Sequence, residues 1–412
     1  MFKKIVIGLF LLITSIALAQ EGTTSPYSFY GIGSLKFRGT VENRAMGGLS
    51  VFSDSIHLNL QNPAGYSGLR LINFSIGASH KAITQKTATE SQNTSSTTLD
   101  YMAMGIPMGK FGMGFGLIPY SSVGYDFYSE TDKNITQYEG MGGLNKAFLS
   151  LGYQVTPELS IGADVNYNFG KIENTAVTQK FDVQNGTRVV NRSNLSGFNV
   201  NIGAMYKSMV TEDLELTGSV TFSPGTKFSS ENYRKTGSVS ILPSGIFSVD
   251  EREVPVADTD FTFPSQITLG LGMSKPKNWG LGLEYVNQKT SNFTNRAFTN
   301  ENVTYNNASK AKLGGFYIPN YNSFGNYLNR VVYRAGVRVE QTGLNIDGHD
   351  INEFGISFGV GLPIGKLFSN MNLGFELGKR GTNDFGLIQE NFFNTFLSFS
   401  LNDRWFEKRL YD

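Results

Sequence analysis

The chain has 412 residues, no cysteine, and 35 basic against 34 acidic residues, a formal net charge of +1. This balance argues against a nucleic-acid partner, and the absence of thiols excludes disulfides, thiolate metal sites and a lipid anchor on cysteine. Abundant glycine, at 47 residues, and 13% aromatics suit closely approaching strands better than helices.

The first element is a leader. Lys3 and Lys4 form a charged start, Ile5 to Ile16 an apolar stretch, and Ala17-Leu18-Ala19 a small-x-small cleavage site, so residues 1–19 read as a secretory signal peptide cleaved near Ala19. Without its two lysines, 33 basic residues stand against 34 acidic, a formal charge of −1. No later apolar run reaches the roughly 18 residues that a transmembrane helix needs.

Residues 20–69 do not alternate and are too short to fold alone. They contain Arg44-Ala45-Met46-Gly47-Gly48 and then Asn62-Pro63-Ala64-Gly65, where the proline removes a backbone donor and pushes Asn62 away from helical geometry.

From Arg70 onward about ten residues of alternation, a turn and another ten recur, giving fourteen predicted strands that begin near residues 70, 97, 111, 143, 158, 194, 213, 261, 278, 308, 329, 351, 370 and 391. Leu159, Ile161, Ala163, Val165, Tyr167 and Phe169 on one face oppose Ser160, Gly162, Asp164, Asn166, Asn168 and Gly170 on the other. Tight turns such as Met108-Gly109-Lys110 and Thr156-Pro157-Glu158 alternate with long polar connections at 85–96, 128–142, 171–193, 227–260 and 288–307. A large soluble sheet also alternates. Long loops on every second connection, behind a signal peptide, instead predict an all-β, 14-stranded antiparallel transmembrane barrel over 70–402, with a periplasmic tail at 403–412.

The apolar face should meet lipid and the other should line a lumen. Asp164, Glu215, Glu284, Lys312, Arg334, Arg338, Glu340, Glu353 and Glu376 fall on the second face, since charge is costly in hydrocarbon. Arg334, Arg338, Glu353 and Glu376 are candidates for a lumenal salt-bridge ladder or an anionic-ligand site. Met102, Met104, Phe316 and Phe396 are candidates for apolar lumenal positions, suited to an acyl tail or to contact with a plug. On the third strand Phe111, Met113, Phe115 and Leu117 point outward and Gly112, Gly114 and Gly116 inward, which lets another backbone approach closely. With Pro119 and Gly124 following, a local break in the wall is expected around Gly116, Pro119 and Gly124.

Arg44-Ala45-Met46-Gly47-Gly48 followed by Asn62-Pro63-Ala64-Gly65 resembles the N-terminal hatch of the FadL/TodX long-chain fatty-acid and hydrocarbon transporters. Phe263-Pro264-Ser265-Gln266, Trp279-Gly280-Leu281-Gly282, Tyr333-Arg334-Ala335-Gly336 and Gly355-Ile356-Ser357-Phe358-Gly359 extend the resemblance along the barrel. Ser25-Pro26-Tyr27-Ser28-Phe29-Tyr30-Gly31 and Leu401-Asn402-Asp403-Arg404-Trp405-Phe406 look like its Bacteroidota-type branch. The resemblance implies a barrel plugged by residues 20–69, with Asn62, Pro63 and Ala64 marking the plug. It also implies passive uptake of hydrophobic small molecules such as long-chain fatty acids, released sideways into the bacterial outer membrane through the third-strand kink. The branch includes members resembling secretion-system barrels, so a structural or docking subunit of a larger outer-membrane secretion or assembly complex is the alternative. Partners would be outer-membrane lipid, a hydrophobic ligand, and in the second case other outer-membrane proteins.

No catalytic constellation, metal site or cofactor is expected. His57, His80 and His349 share no ligand spacing, no serine sits on a strand-to-helix nucleophile elbow, and Asp258-Thr259-Asp260 reads as solvated charge.

Overall fold

The computed structural model describes residues 22–242, 244–292, 302–323, 325–364 and 369–404. The expected signal peptide, most of the expected tail and the Trp405-Phe406 part of the resemblance lie outside them. Strand β1 (Ser34–Leu35) belongs to the N-terminal segment. The wall begins with β2 (Ile72–Lys86) and β3 (Ser91–Met108), then β4 (Phe111–Pro119), β5 (Ser121–Glu130), β6 (Asn134–Gln154), β7 (Leu159–Lys180) and β8 (Gly186–Met209). It continues through β9 (Glu215–Ser223), β10 (Thr226–Leu242), β11 (Gly245–Val254), β12 (Thr259–Phe263), β13 (Gln266–Lys275) and β14 (Trp279–Gln288). Strands β15 (Val303–Tyr305), β16 (Ala308–Tyr317), β17 (Val332–Ile346), β18 (His349–Pro363), β19 (Asn370–Arg380) and β20 (Gln389–Asp403) complete it.

Neighbouring strands pair antiparallel, and β2 pairs with both β3 and the last strand β20, Ile76 standing opposite Met102 and Phe399. The sheet therefore closes on itself. With β4 and β5, β9 and β10, β11 to β13, and β15 and β16 each taken as one interrupted strand, it is a closed barrel of fourteen strands. Prolines explain two of the interruptions: β4 ends at Pro119 and β12 is followed by Pro264, neither of which can donate to a ladder.

Four of the connections expected as long loops are mostly strand. Among the described residues, what remains between strands is 87–90, 131–133, 181–185, 244 and 255–258. Above the membrane neither face of a strand must be apolar, so alternation vanishes there while the backbone ladder continues through Thr-, Ser- and Val-rich sequence. The expected loop at 288–307 includes β15, and 293–301 lie outside the described residues. Crossing a bilayer takes about 9–11 residues per strand. Strands β6, β7 and β8 have 21, 22 and 24 residues, whereas β13, β14 and β16 have ten each, so the wall is tall on one side and low on the other.

The outer face carries exposed Phe111, Phe115, Leu149, Leu151, Ile161, Val165, Leu269, Leu271, Leu283 and Phe358, while the residues alternating with them within the strands are buried, half-buried or glycine. The buried apolar clusters lie where the N-terminal segment meets inward side chains. Val41, Ala45, Leu58, Leu60, Tyr66 and Leu69 pack with Tyr101, Ala103, Phe148 and Phe396. Phe29 and Ile32 pack with Tyr120, Val123, Tyr125 and Phe228.

Candidate functional site

The N-terminal segment is shaped by two local devices. Thr40 caps a one-turn helix, Val41–Arg44, through a capping box with Asn43. The helix ends in Gly47 and Gly48, whose positive φ of 71° and 88° suits glycine, and the amide of Gly48 donates to the Asn43 carbonyl at 2.9 Å. Asn62 caps a 3-10 turn, Pro63–Gly68, with Oδ1 accepting from the Ala64 amide at 3.1 Å, and proline at the first turn position loses no bond. Asn62 is fully buried, and its Nδ2 donates to the Ala204 carbonyl of β8 at 3.3 Å.

Both devices rest on rows of glycine in adjacent strands. Gly112, Gly152, Gly162 and Gly203 stand in register across β4, β6, β7 and β8. A Cβ at Gly112 would collide with the Tyr66 carbonyl, at Gly162 with Pro63 and Ala64, and at Gly203 with Asn62; at Gly152 it would lie 2.7 Å from the Pro63 oxygen. Gly272, Gly282, Gly314 and Gly336 form a second row across β13, β14, β16 and β17. There Cβ atoms would meet Phe52, Val51 and the backbone of Met46. Polar contacts fix the second row: the Gly47 amide donates to Ser357 Oγ at 2.9 Å, Ser50 donates to Glu284 from its amide and hydroxyl at 2.8 and 2.7 Å, and Lys312 Nζ donates to the Gly48 carbonyl at 2.9 Å. Ser357 lies in Gly355-Ile356-Ser357-Phe358-Gly359, which spells the hydrolase Gly-x-Ser-x-Gly pattern. It sits in the middle of β18, with no turn and no helix behind it.

The inward charges form a network. Arg338 reaches three carboxylates, Glu376 at 2.7 Å, Glu340 at 3.2 Å and Glu353. Arg380 lies 2.7 Å from Glu353, and Arg44 of the N-terminal segment joins Glu376 at 3.3 Å and Asp100 at 3.5 Å. Arg334 stands apart from it: the guanidinium donates to Asn372 at 3.1 Å, and Asn372 donates to Glu42 at 2.8 Å.

The apolar candidates divide. Phe396 is buried beneath the Arg44 guanidinium, and Phe316 meets Phe52 edge to face at 5.5 Å, so both point inward onto the N-terminal segment. Met102 and Met104 do not: Met102 is 42% exposed, and Met104 sits between Phe74 and Phe115 on the outer face. Tyr101 and Ala103 take the inward positions, because the β2–β3 register shifts between Gly77 and Ala78 and skips Asp100.

At the third strand, β4 pairs with β3 only from Met102 to Met108, and β5 pairs with β6 and β1 but not with β3. Gly116 lies opposite Ala103 within the paired part, Pro119 ends β4, and Gly124 exchanges two 3.1 Å hydrogen bonds with Ser28. The wall is thus interrupted between the upper part of β3 and β5. N-terminal residues lie along the interruption: Thr24 donates to Thr94 at 2.8 Å, Gln85 donates to the Thr24 carbonyl at 2.6 Å, and Ser34 pairs with Ser122.

A cavity of about 310 Å³ adjoins this region, lined largely by Thr, Ser, Asn, Gln and charged side chains. Among the described residues, Lys36, Arg38, Lys81 and Lys146 line it without a carboxylate within ion-pair distance; sequence alternation alone pointed to none of the four. At the opposite end, His57 Nδ1 lies 2.6 Å from Asp54 and its Nε2 3.3 Å from the Asn370 amide. Burial disfavours the imidazolium, but the Asp54 carboxylate outweighs burial and raises the His57 pKa.

These features define a closed outer-membrane-type barrel with an N-terminal segment packed against its inward residues. The chain is similar to the P. putida toluene transporter TodX, at 15% identity and a TM-score of 0.59 over 90% of this chain and 100% of that one. It is also similar to the CymD monoaromatic hydrocarbon channel, at 12% identity and 0.56 over 91% and 99%, and to a Pseudomonas aeruginosa FadL homologue, at 12% and 0.56 over 90% and 98%. The FadL/TodX resemblance in the sequence is borne out by these folds. No curated protein matches the chain in sequence. The sequence model of the BamG family matches residues 1–412, and the chain belongs to the BamG family.

Proposed function

We propose that the chain is an outer-membrane barrel plugged by its N-terminal hatch and acting as a structural or docking subunit of a larger outer-membrane assembly. The observation that carries this reading is the interior. Asn62, Pro63 and Ala64 sit against one glycine row, Met46 to Val51 against the other, and the remaining cavity is lined largely by polar and charged groups. A conduit for hydrocarbon needs a continuous apolar lining. Here the inward apolar residues Tyr101, Ala103 and Phe396 are taken up by contacts with the hatch, and Arg338, Glu353 and Glu376 bind one another. On this reading residues 1–19 are a cleaved leader, 20–69 the hatch, 70–402 the barrel and 403–412 a periplasmic tail. Extraction from native membranes in mild detergent tests it: stable co-purification with larger outer-membrane proteins is expected, and a lone barrel would overturn it.

A second reading is passive uptake of hydrophobic molecules such as long-chain fatty acids, with lateral release. It is supported by the fold shared with hydrocarbon transporters and by the wall interruption beside Gly116, Pro119 and Gly124. Purified barrel in liposomes should then take up labelled fatty acid faster than empty liposomes, whereas the docking role predicts no difference.

A further inference from the structure

The tall side of the wall ends in an open edge. β10 is paired on one side with β8 and on the other with β11, but among the described residues β11 pairs with β10 alone. The short neighbour β14 stops at Gln288, opposite Gln266, well below this level. Among the described residues, β11 therefore presents ten residues, about 33 Å of strand at 3.3 Å each, with unpaired backbone groups along one side. Residues 245–253 are all exposed, including Ile246 at 41%, Phe247 at 50% and Val249 at 60%. Neither lysine nor proline occurs between Gly245 and Val254, and the charges that blunt an edge are confined to Asp250–Glu253, leaving Ile246–Val249 uncharged.

We infer that this edge receives an extended segment of another protein as an added strand, apolar opposite Ile246 to Val249 and basic opposite Asp250 to Glu253. A bulge at Val249 divides β11 into those two halves. The second half carries Asp250, Glu251 and Glu253 against a single Arg252. Lys235 and Arg188 approach Glu253 and Glu251 from β10 and β8 at 3.7 and 3.6 Å, leaving Asp250 without an ion pair among the described residues. The same division disfavours a second copy of this chain. Parallel self-pairing sets the acidic residues against one another, and antiparallel self-pairing sets them against each other or against Ile246 and Phe247. Cross-strand pairs of like charge destabilise a sheet. The inference rests on the docking reading and specifies where and how the partner is held.

Because the chain has no cysteine, single substitutions Ile246→Cys, Ser248→Cys, Asp250→Cys and Arg252→Cys give unique anchors for a photoactivated cross-linker on the full-length protein in native membranes. The expected result is one cross-linked peptide from one other protein, its attachment point moving two residues from 246 to 248 and from 250 to 252 with the bulge at Val249 altering the step between, and with Lys277→Cys at the opposite rim giving none. Cross-links only between copies of this chain, or scattered without register, would overturn the inference. A second variant replaces residues 234–254 by an Asn-Gly turn. It should keep the heat-modifiable gel mobility of a folded barrel and lose at least tenfold of the co-purifying partner. Full retention of the partner would overturn the edge and leave the docking reading standing, whereas no partner on the wild-type protein would remove both.

Discussion

Arg338 serves three carboxylates from three strands, and removing it leaves each with one other cation, Arg380 for Glu353, Arg44 for Glu376 and Lys310 for Glu340. Arg338→Met should lower stability by about 1.5–3 kcal/mol through the lost charged hydrogen bonds, read as a drop in the thermal midpoint in detergent. Adding Glu376→Gln should restore part of it, and no recovery would separate the two side chains. Asn62→Ala removes a cap and the bond to Ala204, a loss of about 1 kcal/mol. It should expose the N-terminal segment to protease while the barrel keeps its heat-modifiable mobility; unchanged protection would remove Asn62 from the anchoring. His57 should titrate above the ordinary value of about 6.5. Its contact with Asp54 stabilises fully below that value and is lost as pH rises through the folded pKa, and Asp54→Asn should bring the midpoint down in an NMR titration. Strand parity was enough to find the inward charges of β17, β18 and β19. It could not give reach, so the Arg334 partnership with Asn372 stayed hidden. Nor could it orient Met102, because both faces of that strand are apolar and a one-residue bulge at Asp100 sets the phase.

The glycine rows work only as sets, each residue making room for one step of a passing backbone. Gly162→Val and Gly336→Val should each disfavour the seated segment by about 1–3 kcal/mol through overpacking, seen as faster proteolysis near Pro63 and Met46 respectively. Gly218 is a control, since a Cβ there meets nothing within 4 Å, and Gly218→Val should behave as wild type. The inward glycines of β4 were recognisable from their alternation with Phe111, Met113 and Phe115, and so was the close approach they permit. The second row was not, because it is assembled from strands far apart in sequence and exists only through register. Polar strand extensions were read as loops for a related reason: period-two hydrophobicity reports burial on one face, and those segments have water on both.

Across the whole molecule, the number of strands, their order and the division into an apolar outside and a charged inside were legible from period and parity. The uneven height of the wall and the contents of the interior were not, because both depend on which polar segments stay paired and on how residues 22–71 thread between strands. That threading has a consequence for how the molecule is made. Gly47 bonds Ser357 and Asn372 bonds Glu42, contacts spanning 310 and 330 positions. The part of the chain synthesised first thus meets the strands that close the ring. Closing the ring brings the first-made and last-made parts of the chain together, and the contacts of residues 22–71 add to the closure. A barrel deprived of residues 22–69 should therefore refold slowly into a looser ring and regain its rate and melting temperature when the missing peptide is supplied separately.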